Sequence, residues 1–256
     1  MSYATFEQLE SQVFKKAKKR RVAVVEAADA HVLEAVRHAV EVGLVDPLLF
    51  GKRADVEARM AAMDMDITAW EIADCPEPAD SALQAGIAVK EGRADFILKG
   101  LIPTGQLLKG LFKEETGFRT GRLISHMNIV QLRTYPKLLA LCDAAINIAP
   151  TLEQKKDILQ NAVDSLTRMG ISQPKVAVLA SAETVNEKMP ESVDAAALKR
   201  MNEQGEITGC LVEGPISYDL AVCKESAQTK GYDSPVAGDA DLLVCPNIVT
   251  ANVLIK

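Results

Sequence analysis

Aromatic residues make up only 4% of the 256-residue chain, with a single tryptophan. That scarcity disfavours an aromatic-rich β-sandwich and favours helices layered on a sheet. The five cysteines (Cys75, Cys142, Cys210, Cys223 and Cys245) are odd in number and form no C-x-x-C pair. Cys142, Cys210 and Cys245 lie in apolar runs, so buried free thiols are expected, in a reducing cytoplasm. A basic excess is also missing. The net charge is −6, which argues against a general nucleic-acid binder but does not forbid an anionic substrate held by local donors. No run is long and apolar enough for a membrane span, and the start, MSYATFEQLE, has no signal-type apolar region. Neither a Walker A loop nor a G-x-G-x-x-G turn occurs, so nucleotide phosphate held in those ways is not indicated.

What is present is a regular alternation. Hydrophobic residues are 48% and charged residues 25%, enough for a full core. Short apolar runs at Val22–Glu26, Asp46–Gly51, Trp70–Ala73 and Asp95–Lys99 predict strands. Between them, Asp29–Val42, Lys52–Ala62 and a segment capped by Asp80 and stopped by Gly92 predict helices. The rhythm continues with strands at Leu123–Leu132, Leu138–Asn147, Lys175–Ser181, Thr208–Glu213 and Asp241–Val244. Helices are predicted at Thr151–Met169, where Gln154 completes a capping box, and at Ser192–Asn202, Asp219–Lys230 and Ile248–Lys256. The order implies mostly parallel sheets covered on both faces. A passage between two α/β domains falls near Gln131–Pro136, giving domains 1–131 and 132–256. The basic run Lys15–Arg21 reads as a solvated helix end before the first strand.

Ligands of parallel α/β sheets bind beyond the carboxyl ends of the strands. Polar or glycine-bearing segments expected there are Lys99–Thr104, Ser125–His126, Asn147–Pro150 and Glu213–Pro215. Ser234–Asp241 stands in the connection before a strand. Each also has a plain structural reading: Asp219 as an N-cap, Ser125–His126 as a satisfied core pair, Ser234–Gly238 as an ordinary loop.

Taken collinearly, these segments resemble the phosphate acetyl/butyryltransferase family, nearest to its butyryl branch. The matching wording is Lys99-Gly100-Leu101 with Thr104, and Gly117–Arg122 leading to Ser125-His126. Then come Asp143–Pro150, Val185–Pro190 with Asp194–Ala196, Glu213–Ile216 with Asp219 and Ala221, Lys230-Gly231, and Ser234–Asp241. The resemblance spans about Lys99 to Lys256; the earlier residues share rhythm more than motif. It implies two α/β/α domains with a cleft between them, as in isocitrate and isopropylmalate dehydrogenases. It further implies reversible transfer of a short acyl group, butyryl by the motif wording, between coenzyme A and inorganic phosphate. No metal or cofactor is required, and a cytoplasmic homo-oligomer without nucleic-acid or membrane partners is the family expectation.

On that footing Lys99, Thr104 and Arg122 are expected to bind phosphate and the oxyanion, with Gly100 letting the backbone approach. Ser125 and His126 line the same wall. Asn147 and the loop Ser234, Pro235 and Gly238 face them. Asp219 and Asp239 order that wall, and Gly214 and Asn252 complete the binding set. Ser125, His126 and Asp219 are the catalytic candidates. The final helix departs from the family, with Val249, Ala251 and Ile255 where Glu, Gly and Tyr are usual, although Asn252 and Lys256 remain. Family members also continue for about one more helix-strand-helix passage carrying a Ser-Arg pair and an acid. The 256-residue sequence is therefore expected either to omit part of the protein or to be catalytically impaired, retaining acyl-CoA or phosphate binding. An acetyl-specific enzyme, a fatty-acyl-phosphate synthase and a dehydrogenase of the same fold stand as competing readings.

Overall fold

The structure, a computed structural model, describes residues 2–16, 18–119 and 121–256. Ala17 of the basic run and Thr120 of the Gly117–Arg122 segment lie outside the described residues. Contacts divide the chain into two compact units, Gln12–Gly121 and Met1–Ser11 with Arg122–Lys256. Helix α1 (Phe6–Lys16) precedes the first strand.

The unit Gln12–Gly121 is built on β1 (Arg20–Val25), β2 (Val45–Gly51), β3 (Glu71–Asp74) and β4 (Phe96–Lys99), all parallel, in the order β3-β2-β1-β4. Successive strand side chains point to opposite faces, so the apolar run of β1 feeds two cores. Val22 and Val24 pack with Leu33, Val36, Val56 and Met60 of α2 (Ala30–Glu41) and α3 (Arg53–Ala61). Ala23 and Val25 pack with Ala82, Ala85 and Leu107 of α4 (Pro78–Lys90) and α5 (Thr104–Leu111). Asp29 caps α2 by accepting from the Val32 N–H at 3.0 Å. Asp80 does not cap α4: Glu77 holds that position and Pro78 opens the helix. Proline suits the first helical position because its missing N–H would have had no partner there. Asp80 sits in the first turn instead, where a carboxylate favours the helix dipole. Helix α5 is not among the sequence expectations; α1 ends in the basic run as expected, but Arg20 and Arg21 already belong to β1.

The larger unit carries β5 (Met127–Val130), β6 (Leu139–Cys142), β7 (Lys175–Leu179), β8 (Leu211–Ile216) and β9 (Leu242–Val244). Their order is β5-β6-β9-β7-β8, with β5 antiparallel and the others parallel. The expected domain passage near 131–136 lies inside this unit, because β5 pairs with β6 from Met127↔Cys142 to Val130↔Leu139. One face of the sheet packs on α6 (Leu152–Arg168) and α7 (Pro190–Glu203). The other is covered by α8 (Tyr218–Val222), α9 (Lys224–Thr229), the 234–240 loop and α10 (Ile248–Ile255). The α6 capping box forms as expected, with Thr151 and Gln154 each satisfying the other's backbone N–H. Such a cap is worth about 1 kcal/mol.

The expected helix Asp219–Lys230 is broken at Cys223, which is extended (φ −133°, ψ 113°). The Leu220 carbonyl accepts from the Gly238 N–H and the Ala221 carbonyl from the Ala240 N–H. Those acceptors are the ones a continuing helix would need. The loop thus replaces the helix's next turn. Gly238 has φ +66°, and a Cβ there would lie 2.4 Å from the Lys224 backbone nitrogen, so only glycine fits.

Candidate functional site

Beyond the carboxyl end of β6 lies a buried carboxylate. Asp143 is 3% exposed. Its Oδ1 accepts from the backbone N–H groups of Ala145 and Ile146, both at 2.9 Å. Its Oδ2 accepts from the His126 N–H at 3.0 Å and from Asn147 Nδ2 at 2.7 Å. Asn147 Nδ2 also donates to the Ile124 carbonyl at 3.0 Å. Asn161 on α6 donates to the Leu123 carbonyl at 2.8 Å and to Ser125 Oγ at 3.0 Å. The strand expected at Leu123–Leu132 is therefore shorter, because residues 123–126 bond to side chains in place of a ladder. Likewise β6 stops at Cys142, where Asp143 turns the chain.

Ser125, His126 and Asn147 are thus brought together. Ser125 accepts from Asn161, which leaves its own hydroxyl proton to give. The His126 side chain has a buried Nδ1 with no partner among the described residues. Asn252, on α10, joins the group by donating to the Ala144 carbonyl at 2.6 Å. Its donor holds backbone, so its part is to position the turn that carries Asn147.

A second polar group lies beyond β7 and β8. Ser217 Oγ donates to Glu183 Oε1 at 2.6 Å, and Lys230 Nζ lies 3.1 Å from Glu183 and 3.4 Å from Asp219. Proximity to the Ser217 hydroxyl and then to Lys230 holds the Asp219 carboxyl below its ordinary range. A carboxyl so stabilised is ionised at neutral pH, so Asp219 rests as an acceptor of a proton or hydrogen bond.

Lys99 ends β4, and Thr104 follows five residues later. Lys99 is exposed, with no carboxylate within 4 Å among the described residues; Thr104 opens α5. Gly100 is required there: a Cβ would fall 2.3 Å from the Glu26 carbonyl oxygen and 2.4 Å from that of Val25. Arg122 falls in the larger unit, not the first, and its two terminal nitrogens meet Asp164 Oδ2 at 3.1 and 3.0 Å.

The Ser234–Asp239 segment does not join the carboxyl-end groups. It precedes β9, so it ends at the amino edge of a parallel sheet. There Asp239 pairs with Lys175 at 2.6 Å and Lys137 at 2.9 Å. Ser234 Oγ accepts from the Val236 N–H at 3.2 Å, Pro235 is exposed and Gly238 is buried against α8 and α9. Gly214 lies within β8, not beyond it, where a Cβ would crowd Val178 at 2.9 Å. Close packing requires glycine at 214 and 238, and Asp239 orders the sheet base. Asp143, Asn161, Glu183 and Lys230 were not expected as site residues. Asp143 had a signal: a carboxylate closing an apolar strand, four residues before an asparagine.

Among the described residues no group of three or more His, Cys, Asp or Glu is arranged to hold a metal. No helix of those residues is long and apolar enough to cross a membrane.

A profile of the phosphate acetyl/butaryl transferase family matches residues 5–82 and 77–256. The chain is 40% identical over 237 residues to the phosphate butyryltransferase of Clostridium acetobutylicum, covering 93% of this chain and 79% of that one. It is also 40% identical over 239 residues to the phosphate acetyltransferase of Thermotoga maritima, covering 93% and 81%. Among solved structures, a branched-chain phosphotransacylase from Enterococcus faecalis V583 superposes with a TM-score of 0.80 at 32% identity. That match covers 93% of this chain and 83% of that one.

Proposed function

The chain belongs to the phosphate acetyl/butaryl transferase family and is a phosphate acyltransferase, and we propose that it moves a butyryl group between coenzyme A and inorganic phosphate. The observation that carries this reading is the family match running through residues 77–256, which includes the Asp143–Pro150 turn and the Lys99 strand end. The butyryl assignment follows the wording of the Asn147–Pro150 and Gly238–Asp241 segments.

In the proposed reaction a phosphate oxygen attacks the thioester carbonyl carbon. A C–O bond forms and the carbonyl oxygen takes up negative charge. As that tetrahedral species collapses the C–S bond breaks, and the proton given up by phosphate ends on the departing thiol. Attack by a bound phosphate is favoured by positioning, and the oxyanion by donors already in place. Lys99 supplies phosphate with an ammonium that no carboxylate among the described residues engages, and Thr104 supplies a hydroxyl at the start of α5. Arg122, in the larger unit, can take up an anion only by exchanging Asp164 for it. The Ser125 hydroxyl is a donor for the oxyanion, with His126 beside it. Asp219, ionised, serves as an acceptor or base in the reverse direction, when the thiol must lose its proton. The scheme uses no cofactor beyond acyl-CoA and phosphate. A homo-oligomer belongs to the same proposal and is read by light scattering.

Phosphate-dependent release of CoA tests the scheme. Butyryl-CoA is expected to give a higher kcat/KM than acetyl-CoA, and the opposite order would establish the acetyl-specific reading. Lys99→Ala and Arg122→Ala are expected to raise the phosphate KM; an unchanged KM in both would sink the phosphate assignment.

A further inference from the structure

Asp143 makes no place for a substrate of its own, since both its oxygens are occupied by protein donors. Its effect lies in what those donors are. Two come from the turn that carries Asn147, one from the Asn147 side chain and one from the backbone between Ser125 and His126. A single buried carboxyl group therefore joins the two segments that bear three of the proposed site residues. Hydrogen bonds to a carboxylate are stronger than those to a neutral acceptor.

The consequence concerns polarity. Asn147 has one amide nitrogen and one amide oxygen, and its nitrogen is committed to Asp143 and to the Ile124 carbonyl. Both of those partners are acceptors, so the amide cannot be turned the other way without setting oxygen against oxygen. Among the described residues nothing donates to Asn147 Oδ1. We propose that Asp143 is a positioning residue of this site, fixing the Asn147 amide so that its oxygen is what this side chain offers a substrate. Asn147 then receives a hydrogen bond from a donor on the acyl-CoA or on protonated phosphate, and it is not a donor to the oxyanion. This inference rests on the phosphate acyltransferase reading.

Asp143→Asn is the direct perturbation. It is nearly isosteric, but whichever way the new amide turns, its NH2 faces two N–H donors. Where that NH2 faces Asn147, a flip of the Asn147 amide removes one clash but sets its oxygen against the Ile124 carbonyl, so the amide loses its single fixed orientation. Thermal melts and steady-state kinetics with butyryl-CoA and inorganic phosphate would be run on the wild type, Asp143→Asn, Asn147→Ala and the double variant. Each single change is expected to lower kcat/KM by about tenfold or more, the scale of one site hydrogen bond. The double variant is expected to be no worse than the poorer single one, because both remove the same oriented amide. The substrate whose KM moves identifies the donor. Full kcat/KM in a folded Asp143→Asn enzyme would overturn the proposal, as would losses that multiply in the double variant. If Asp143→Asn does not melt cooperatively, Asn147→Ala decides: full activity there leaves Asp143 nothing to act through. A wild type without phosphate-dependent turnover would instead count against the underlying function.

Discussion

Lys137 and Asp241 form an ion pair of 2.6 Å at the amino edge of the larger sheet, with side chains only 9% and 7% exposed. Asp241 uses its other oxygen to accept from the Lys175 N–H at 2.8 Å, and Lys137 also reaches Asp239. The starts of β6, β7 and β9 are thereby tied to one another through charge. Removing one member of such a pair leaves the other buried and uncompensated. Asp241→Asn is therefore expected to destabilise the enzyme by about 3 kcal/mol, read by urea titration, while kcat of the folded fraction is unchanged. A loss of kcat without loss of stability would contradict this placement at the sheet base.

The same cluster sets an acid response. Burial opposes ionisation of Asp239, but the bonds from Lys175 and Lys137 outweigh it and hold its carboxyl below the ordinary range. A depressed folded-state pKa gives stability that is present above the unfolded value and lost as pH falls through the folded one. Wild-type stability should therefore fall from about pH 4 downwards. In Asp239→Asn that part of the decline should be missing. Parallel acid limbs in the two proteins would refute the assignment.

Gly100→Ala should separate the β4 end from β1, since the added methyl would meet two carbonyl oxygens at 2.3 and 2.4 Å. Overpacking of this kind costs about 1–3 kcal/mol. Because Lys99 is the preceding residue, the phosphate KM should rise along with the fall in melting temperature. A rise in neither would show that the strand end has room to move.

The thiols should differ sharply in reactivity. Burial pushes the Cys245 thiol up to about 12 and that of Cys210 to about 11. Cys223, only half-buried, is lowered by hydrogen bonding with Ser226. The thiolate is the nucleophile, so native protein should take up one equivalent of a thiol reagent quickly, at Cys223. Peptide mapping that finds Cys210 or Cys245 labelled first would overturn this ordering.

Much of the architecture could be read from local pattern. The Val22–Val25 run, the Asp29 cap and the Thr151–Gln154 box each involve residues close in sequence. The break at Cys223 could not, because the N–H groups that replace the helical turn come from Gly238 and Ala240. In the site, Ser125, His126 and Asn147 were recognisable as residue types at a strand end. The direction of the Asn147 amide was not, since it depends on a carboxylate and a carbonyl from two separate segments. The position of Asp239 was partly legible: a segment that precedes a parallel strand belongs to the amino edge, whatever its motif resembles. Arg122 was legible as a cation, but its engagement with Asp164 depends on a helix more than forty residues away.

The Glu213–Pro215 segment, expected to serve a ligand, lies in β8, the last strand of its sheet. Pro215 has no N–H, and the pairing with β7 shifts register beside it, between Ala177↔Glu213 and Leu179↔Ile216. An outermost strand with a gap in its donor row and an uneven backbone is a poor template for another chain. The segment then guards against aggregation: it interrupts the border along which two copies could otherwise have merged their sheets.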